Sequence, residues 1–163
     1  MSGWRCSGSC RISPRDRTYL EDTLIQAISQ TDMVLISGGS SKGERDMCAD
    51  IIRQKGELLV HGIALSPGKP TIIGKVHEKP VIGLPGHPAS AYVVLHALVR
   101  DLISCMTGEI SHPIRISGIL TSSVPSAKGR EDYIRVMLNE NAIAPVFGKS
   151  GLTNSLTSSD GLL

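Results

Sequence analysis

Two strand–loop–helix units constrain the fold of this chain more than any other feature. The first runs from the apolar stretch Asp32–Ile36 through the glycine-rich loop Ser37–Gly43 into a helical pattern. The second runs from Val81–Leu84 through the turn Pro85–Pro88 into the longest helical pattern, residues 89–107. Short apolar runs that alternate with helices are typical of an α/β fold with a mostly parallel sheet. We therefore predict that Asp32–Ile36 forms a strand buried on both faces.

The pattern changes near His112, where short strand candidates replace helices. These candidates are Ile114–Leu120, Tyr133–Leu138 and Ala142–Phe147, and the turns between them contain Gly, Ser and Pro. Such spacing predicts a small all-β domain. We divide the chain into an irregular segment at 1–13, an α/β domain at 14–111 and an incomplete β domain at 112–163.

Composition excludes several classes of partner. Aromatic residues are only 3% of the chain, so binding of nucleic acid by base stacking is disfavoured. The net charge of +2 argues against a general nucleic-acid or membrane surface and leaves a local anion site open. No secretory signal and no unbroken run of about 18 apolar residues is visible. The four cysteines lack metal-site spacing, so we predict a cytoplasmic protein.

The loop Ser37–Gly43 has the composition of an oxyanion site. Glycines allow backbone N–H groups to approach a ligand, the serines add hydroxyl donors, and Lys42 adds positive charge. The helix that follows offers its positive end. The loop is neither a Walker A motif nor GxGxxG, so an ordinary glycine-rich turn is the alternative.

Two carboxylates, Glu44 and Asp46, follow this loop directly. Mg²⁺ prefers carboxylate oxygens and neutralises phosphate charge, which makes the pair a candidate metal site. The alternative is that these acids only complement the dipole of the helix in its first turn.

Two further turns carry candidate binding groups. Ser66–Pro70 places Lys69 between two prolines, which suits an anionic substrate, although a solvated lysine in a Pro-Gly turn is the alternative. Pro85–Pro88 precedes another helix and contains His87, which we read as a positional polar residue. Because the carboxyl ends of parallel strands meet at one edge, the two strand-to-helix turns should face the same crevice.

The β domain contributes the segment Gly129–Arg135. Arg130 lies in a turn from which it could reach an oxyanion, and Arg135 lies in a strand. The alternative for each is a cation on the protein surface.

These motifs, in this order, resemble the MoeA-type molybdopterin molybdenumtransferases, which include the E domains of gephyrin and the plant Cnx proteins. The resemblance covers nearly all of residues 14–163. The matching segments are Asp32–Asp46, Pro67–Pro70 and Gly83–Ala91, with looser matches at Gly129–Arg135 and Ser150–Leu163.

The resemblance implies a three-layer domain like MogA and a transferase of molybdenum cofactor biosynthesis. Such enzymes insert molybdate into adenylated molybdopterin, release AMP and use a divalent cation such as Mg²⁺. The implied partners are therefore a pterin nucleotide and molybdate, with no nucleic acid and no membrane, and a homodimer in the full-length parent.

The resemblance also implies roles for individual residues. The pterin nucleotide's phosphates would be bound by Ser37, Gly38, Gly39, Ser40 and Gly43. Asp46 would assist the metal or substrate, and Lys69 would help to hold molybdate or phosphate. The opposing wall would be shaped by Pro85, Gly86, Pro88 and Ser90. Arg130 is a candidate oxyanion contact from the β domain.

Departures from the family suggest a fragment or a truncated reading frame. The strands and helix that normally open the α/β domain are missing, the last domain stops early, and His87 stands where many relatives have Asn. The chain is therefore expected to be catalytically incomplete, because a partner subunit usually helps to build the site. Two alternatives remain: a MogA- or CinA-like module that binds a pterin or nucleotide, and a non-enzymatic scaffold.

Overall fold

The structure, a computed structural model, describes residues 17–37, 42–109, 113–147 and 159–163. Its helices are α1 Arg17–Gln30, α2 Lys42–Lys55, α3 Pro88–Val94 and α4 Arg100–Thr107. Its strands are β1 Val34–Ser37, β2 Gly56–His61, β3 Leu65–Ser66, β4 Ile72–Val76, β5 Lys79–Leu84, β6 Ile119–Leu120, β7 Glu131–Asp132, β8 Arg135–Asn139, β9 Ala142–Pro145 and β10 Gly161–Leu162. By their contacts these elements form two compact units.

The first unit contains the described residues up to Ile63 together with Pro70–Gly86. Its sheet has the order β1-β5-β4-β2, and α1 and α2 pack against it. Leu20, Leu24 and Ile28, spaced four residues apart on α1, are buried in one cluster with apolar residues of α2, β4 and β5. The α/β character predicted for this region is confirmed.

The sheet is mixed, whereas a mostly parallel sheet was expected. β1 and β5 are parallel, but β4 pairs antiparallel with both β5 and β2. The cause is a two-residue turn between β4 and β5, in which His77 and Glu78 have φ values of 49° and 60°. Positive φ at both central residues is the geometry of a tight hairpin, which forces the two strands to run antiparallel.

β1 is not buried on both faces, so that prediction was wrong. It stands at the edge of the sheet and pairs only with β5 among the described strands. Leu35 is 39% exposed, and Val34 and Ile36 are half-buried. An unbroken apolar run therefore marks the strand correctly, but not its position in the sheet.

The second unit contains Ala64–Lys69 and the described residues from His87 onward. A continuous helix spans Pro88–Thr107 and widens into a π-helical turn at Leu95–Val99. Gly108 ends it in the left-handed conformation with φ of 71°. By length and composition alone this helix could cross a membrane, a test that core helices of soluble proteins also pass.

The rest of this unit is made of short strands, as predicted for the region after His112. One sheet has the order β10-β8-β9-β6, and a separate two-stranded sheet joins β3 to β7 in parallel. The pairing of β3 with β7 was not foreseen, because β3 lies far earlier in the sequence. The division into domains at 13 and 111 stays a prediction.

Candidate functional site

The first candidate site begins at the carboxyl ends of β1 and β5. The two strands are parallel neighbours, and Ser37 at the end of β1 pairs in register with Leu84 at the end of β5. The chain therefore leaves both strands at the same edge of the sheet. Among the predicted phosphate-binding residues, Gly38, Gly39 and Ser40 lie outside the described residues, and Ser37 is exposed.

Asp46 lies on α2, shortly after this loop, and its side chain is 52% exposed. The imidazole Nε2 of His61, at the end of β2, lies 4.0 Å from Asp46 Oδ1. Sequence reasoning did not identify His61, because it lies 15 positions after Asp46 in the chain and no motif links the two. The helix and the strand thus bring a carboxylate and an imidazole together within the first unit.

No group of three or more His, Cys, Asp or Glu side chains that could hold a metal occurs in the part of the chain that the structure describes. Gly43 and Glu44 belong to α2, but their surroundings lie outside the part of the chain that the structure describes. A lone exposed carboxylate is still compatible with Mg²⁺, since that ion keeps several waters and uses one or two carboxylates plus substrate phosphates.

The turn after β5 divides between buried and exposed positions. Pro85 is fully buried and Gly86 is exposed, both in the first unit. In the second unit, Pro88 occupies the first turn of α3 and is exposed, whereas Ser90 is buried. His87 caps α3 through its backbone, whose carbonyl accepts a hydrogen bond from Ala91 N at 3.0 Å. The His87 side chain makes no capping hydrogen bond, and its positional role stays a prediction.

Lys69 lies at the exposed end of a closely packed turn. Gly68 has φ of 143°, and a Cβ atom there would lie 2.9 Å from Leu65 Cδ2 and 3.0 Å from Val94 Cγ2. Only glycine has both this backbone conformation and the room for this approach. The turn is therefore held against α3 while Lys69 points away from the buried side.

Arg130 is engaged in a side-chain contact of its own. Its Nε donates a hydrogen bond to Asp132 Oδ1 at 2.9 Å, and its side chain is 47% exposed. Arg135, by contrast, is buried, so the surface alternative was wrong for that residue. The sequence offered no signal for Asp132 beyond its place in the quoted segment Gly129–Arg135.

The carboxylate of Asp132 collects hydrogen bonds from several donors. The Ala127 N–H is the main cause that lowers its pKa from the ordinary value of 3.8. Burial opposes this shift, whereas the Ser66 and Ser126 hydroxyls and the nearby Arg130 charge act in the same direction. Hydrogen bonds to the charged form favour ionisation, so Asp132 is a fixed anion at neutral pH.

Comparison with known proteins assigns both parts of the chain. Residues 8–104 match the family model described as probable molybdopterin binding domain, and residues 117–163 match the MoeA C-terminal region, domain IV. The predicted α/β fold class with an appended β region is thereby confirmed.

Individual relatives and solved structures support the same family assignment. The chain is 37% identical over 126 residues to a molybdopterin molybdenumtransferase of Haemophilus influenzae, covering 76% of this chain and 31% of that protein. A crystal structure of a molybdopterin biosynthesis MoeA protein from Pyrococcus horikoshii superposes with a TM-score of 0.77 at 35% identity, covering 91% of this chain and 36% of that one.

A molybdenum cofactor biosynthesis protein from Pyrococcus furiosus gives a TM-score of 0.73 at 25% identity, with coverage of 91% of this chain and 48% of that one. The chain thus spans about a third of the length of the curated relatives it matches. The match to the molybdopterin binding domain covers more than half of the chain. The chain therefore belongs to the molybdopterin-binding domain family, and the part after that domain matches the C-terminal region of MoeA.

Proposed function

We propose that this chain is part of a molybdopterin molybdenumtransferase, an enzyme of molybdenum cofactor biosynthesis. The reaction is the insertion of molybdate into adenylated molybdopterin with release of AMP. The role proposed for this chain is to bind the phosphates of the pterin nucleotide and the incoming oxyanion.

The observation that carries the proposal is the parallel register of Ser37 with Leu84. Ligands of open α/β sheets bind outside the carboxyl ends of parallel strands, and here two turns leave adjacent strands at that edge. The match to the MoeA C-terminal region favours this function over a MogA- or CinA-like module, which lacks the β appendage.

The proposed binding groups differ in kind. Backbone N–H groups and hydroxyls of residues 37–43 bind phosphate oxygens, and the side chains of Lys69 and Arg130 supply positive charge. The proposed wall of the site is formed by Pro85, Gly86, Pro88 and Ser90. No covalent step by a protein side chain is needed in this scheme, so orientation and charge are the contribution of the chain.

Mg²⁺ belongs to the proposal as a bound ion. Asp46 would hold it, with Glu44 as a second carboxylate, and the ion would neutralise phosphate charge when bound. The imidazole Nε2 of His61 lies 4.0 Å from Asp46 Oδ1, next to this proposed ligand. A homodimer of the full-length parent and a cytoplasmic location complete the proposal.

Calorimetry with AMP and with molybdate, each in the presence of Mg²⁺, tests the proposal. Asp46→Ala should lower the affinity for AMP by about tenfold or more, because it removes the proposed link between metal and phosphate. Asp50→Ala is the matched control, since Asp50 is one turn further along α2 and forms an exposed ion pair with Arg53. It should bind as the wild type does.

Two results would contradict the proposal. Equal affinity in wild type, Asp46→Ala and Asp50→Ala would remove Asp46 from the site. Failure of the wild type to bind either ligand would remove the binding role from this chain. The turnover test adds adenylated molybdopterin and molybdate to the full-length parent and measures AMP, and absence of AMP release by that protein would contradict transferase activity.

A further inference from the structure

We infer that Asp132 is a positioning residue for oxyanion binding, which orients Arg130 and holds the turn that carries Lys69. The inference rests on the proposed function, because it assumes that these two cations meet a tetrahedral oxyanion. Asp132 itself does not touch the ligand in this scheme and acts through Arg130 and Ser66.

The carboxylate of Asp132 is built into its surroundings. Its side chain is 9% exposed, although it belongs to a strand of only two residues. Oδ2 accepts hydrogen bonds from Ser126 Oγ at 3.0 Å and Ala127 N at 3.1 Å, and Oδ1 accepts one from Arg130 Nε at 2.9 Å. One carboxylate therefore fixes both the start of the 126–130 turn and the arginine at its end.

The same residue connects this turn to the Lys69 turn. β7 pairs with β3 through two backbone hydrogen bonds, from Glu131 N to Ala64 O at 2.9 Å and from Tyr133 N to Ser66 O at 2.7 Å. The Ser66 hydroxyl also acts on the Asp132 carboxylate, whose pKa it helps to lower. Lys69 follows Ser66 by three residues, so its turn starts from the pair of strands that Asp132 ties together.

The charge balance explains how a carboxylate can support an anion site. The negative charge of Asp132 alone would repel an oxyanion. Hydrogen-bond donors of Ala127, Ser126 and Ser66 and the positive charge of Arg130 offset it. The Nε of Arg130 donates its hydrogen bond to Asp132, so an oxyanion would be bound by the two terminal Nη groups of Arg130. Paired N–H donors on a rigid plane fit two oxygens of molybdate or phosphate.

A double-mutant cycle tests whether Asp132 acts through Arg130. Molybdate and inorganic phosphate are titrated separately by calorimetry into wild type, Asp132→Asn, Arg130→Gln and the double variant. Asp132→Asn should weaken binding by about fivefold to tenfold alone and cause little further loss in the Arg130→Gln background. Loss for molybdate alone, or for phosphate alone, identifies which oxyanion Arg130 meets.

A purely structural role gives a different result. It would change the affinity for the anions by the same factor in the wild-type and Arg130→Gln backgrounds, and that outcome would overturn the inference. Ser123→Ala is the control, because Ser123 is an exposed serine of the same segment outside the contacts of Asp132. It should match the wild type in both titrations.

An NMR measurement keeps the inference separate from the proposed function. In the ligand-free protein, the Arg130 Nε–H signal should exchange slowly in wild type and Ser123→Ala and quickly in Asp132→Asn. If the wild type binds neither anion, the proposed function fails, and this signal still decides whether Asp132 orients Arg130. An unchanged signal in Asp132→Asn would overturn the inference.

Two milder variants cover the case in which Asp132→Asn does not fold. Ser126→Ala and Ser66→Ala each remove one donor and keep the carboxylate. Ser66→Ala should weaken anion binding about twofold to threefold through the Lys69 turn. Wild-type affinity and an unchanged Arg130 signal in both variants would overturn the inference.

Discussion

The two candidate binding regions are built by different means. The edge at Ser37 and Leu84 rests on paired strands above a buried core, and its proposed ligands are mainly backbone groups. The region of Lys69 and Arg130 rests on two strands of two residues each, and its ligands are side chains held by one carboxylate. The first depends on packing over many residues, whereas the second depends on a few polar contacts and a glycine.

The largest expected effect tests the dependence of the first region on its core. Ile82 lies in the middle of β5 and is fully buried. Ile82→Ala should lower the free energy of unfolding of the first unit by about 3 kcal/mol, because it leaves a cavity between the sheet and its neighbours. Amide hydrogen exchange should show reduced protection in β5, while β8 in the second unit keeps its protection.

The control for this substitution is Leu59→Ala, at a side chain that is 54% exposed on the edge strand β2. It should cost less than about 1 kcal/mol. An equal loss of protection in β5 and β8 after Ile82→Ala would show that the two units unfold as one, and the comparison would then fail.

The next effect tests the dependence of the second region on one glycine. Gly68→Ala should cost about 2 kcal/mol, because φ of 143° is unfavourable for alanine and the new Cβ would crowd Leu65 and Val94. The free energy of urea unfolding, followed by amide exchange in the second unit, measures this cost.

Gly108→Ala separates backbone strain from crowding. Gly108 also has positive φ, of 71°, but a Cβ there would meet nothing within 4 Å. It should therefore cost only about 1 kcal/mol. If the two substitutions cost the same, the close packing of the Lys69 turn against α3 does not contribute to stability.

Sequence reasoning succeeded where local patterns decide the structure. The helical pattern of residues 89–107 predicted the long helix Pro88–Thr107, because helical periodicity acts within a few residues. The apolar run of β1 predicted a strand but overestimated its burial. The antiparallel β4–β5 hairpin was missed because His77 and Glu78 carry none of the usual signals for a turn with positive φ.

The candidate site residues also divide into those that the sequence predicted and those that it missed. The order of the loops pointed to Asp46, Lys69 and Arg130, although their roles stay predictions. His61 was missed, since it meets Asp46 only through folding, and Asp132 was missed although its contacts with Ser126, Ala127 and Arg130 are local in sequence. Asp132 is paired with Ser66 in the β3–β7 sheet, although the two residues lie 66 positions apart in the chain. No periodicity in the sequence predicts such a contact.

The smallest effect concerns pH and distinguishes a region held by a carboxylate from one held by packing. Because its pKa is lower in the folded protein than the ordinary 3.8, Asp132 stabilises the fold at pH values above that number. This stabilisation is lost as the pH falls through the folded-state pKa. The melting temperature of Asp132→Asn should therefore lie below that of the wild type at neutral pH, and the difference should shrink as the pH falls below 3.8. Ser123→Ala, which removes no titratable group, should follow the wild type throughout. A difference between Asp132→Asn and wild type that stays constant over this range would mean that the Asp132 charge does not hold the second region together.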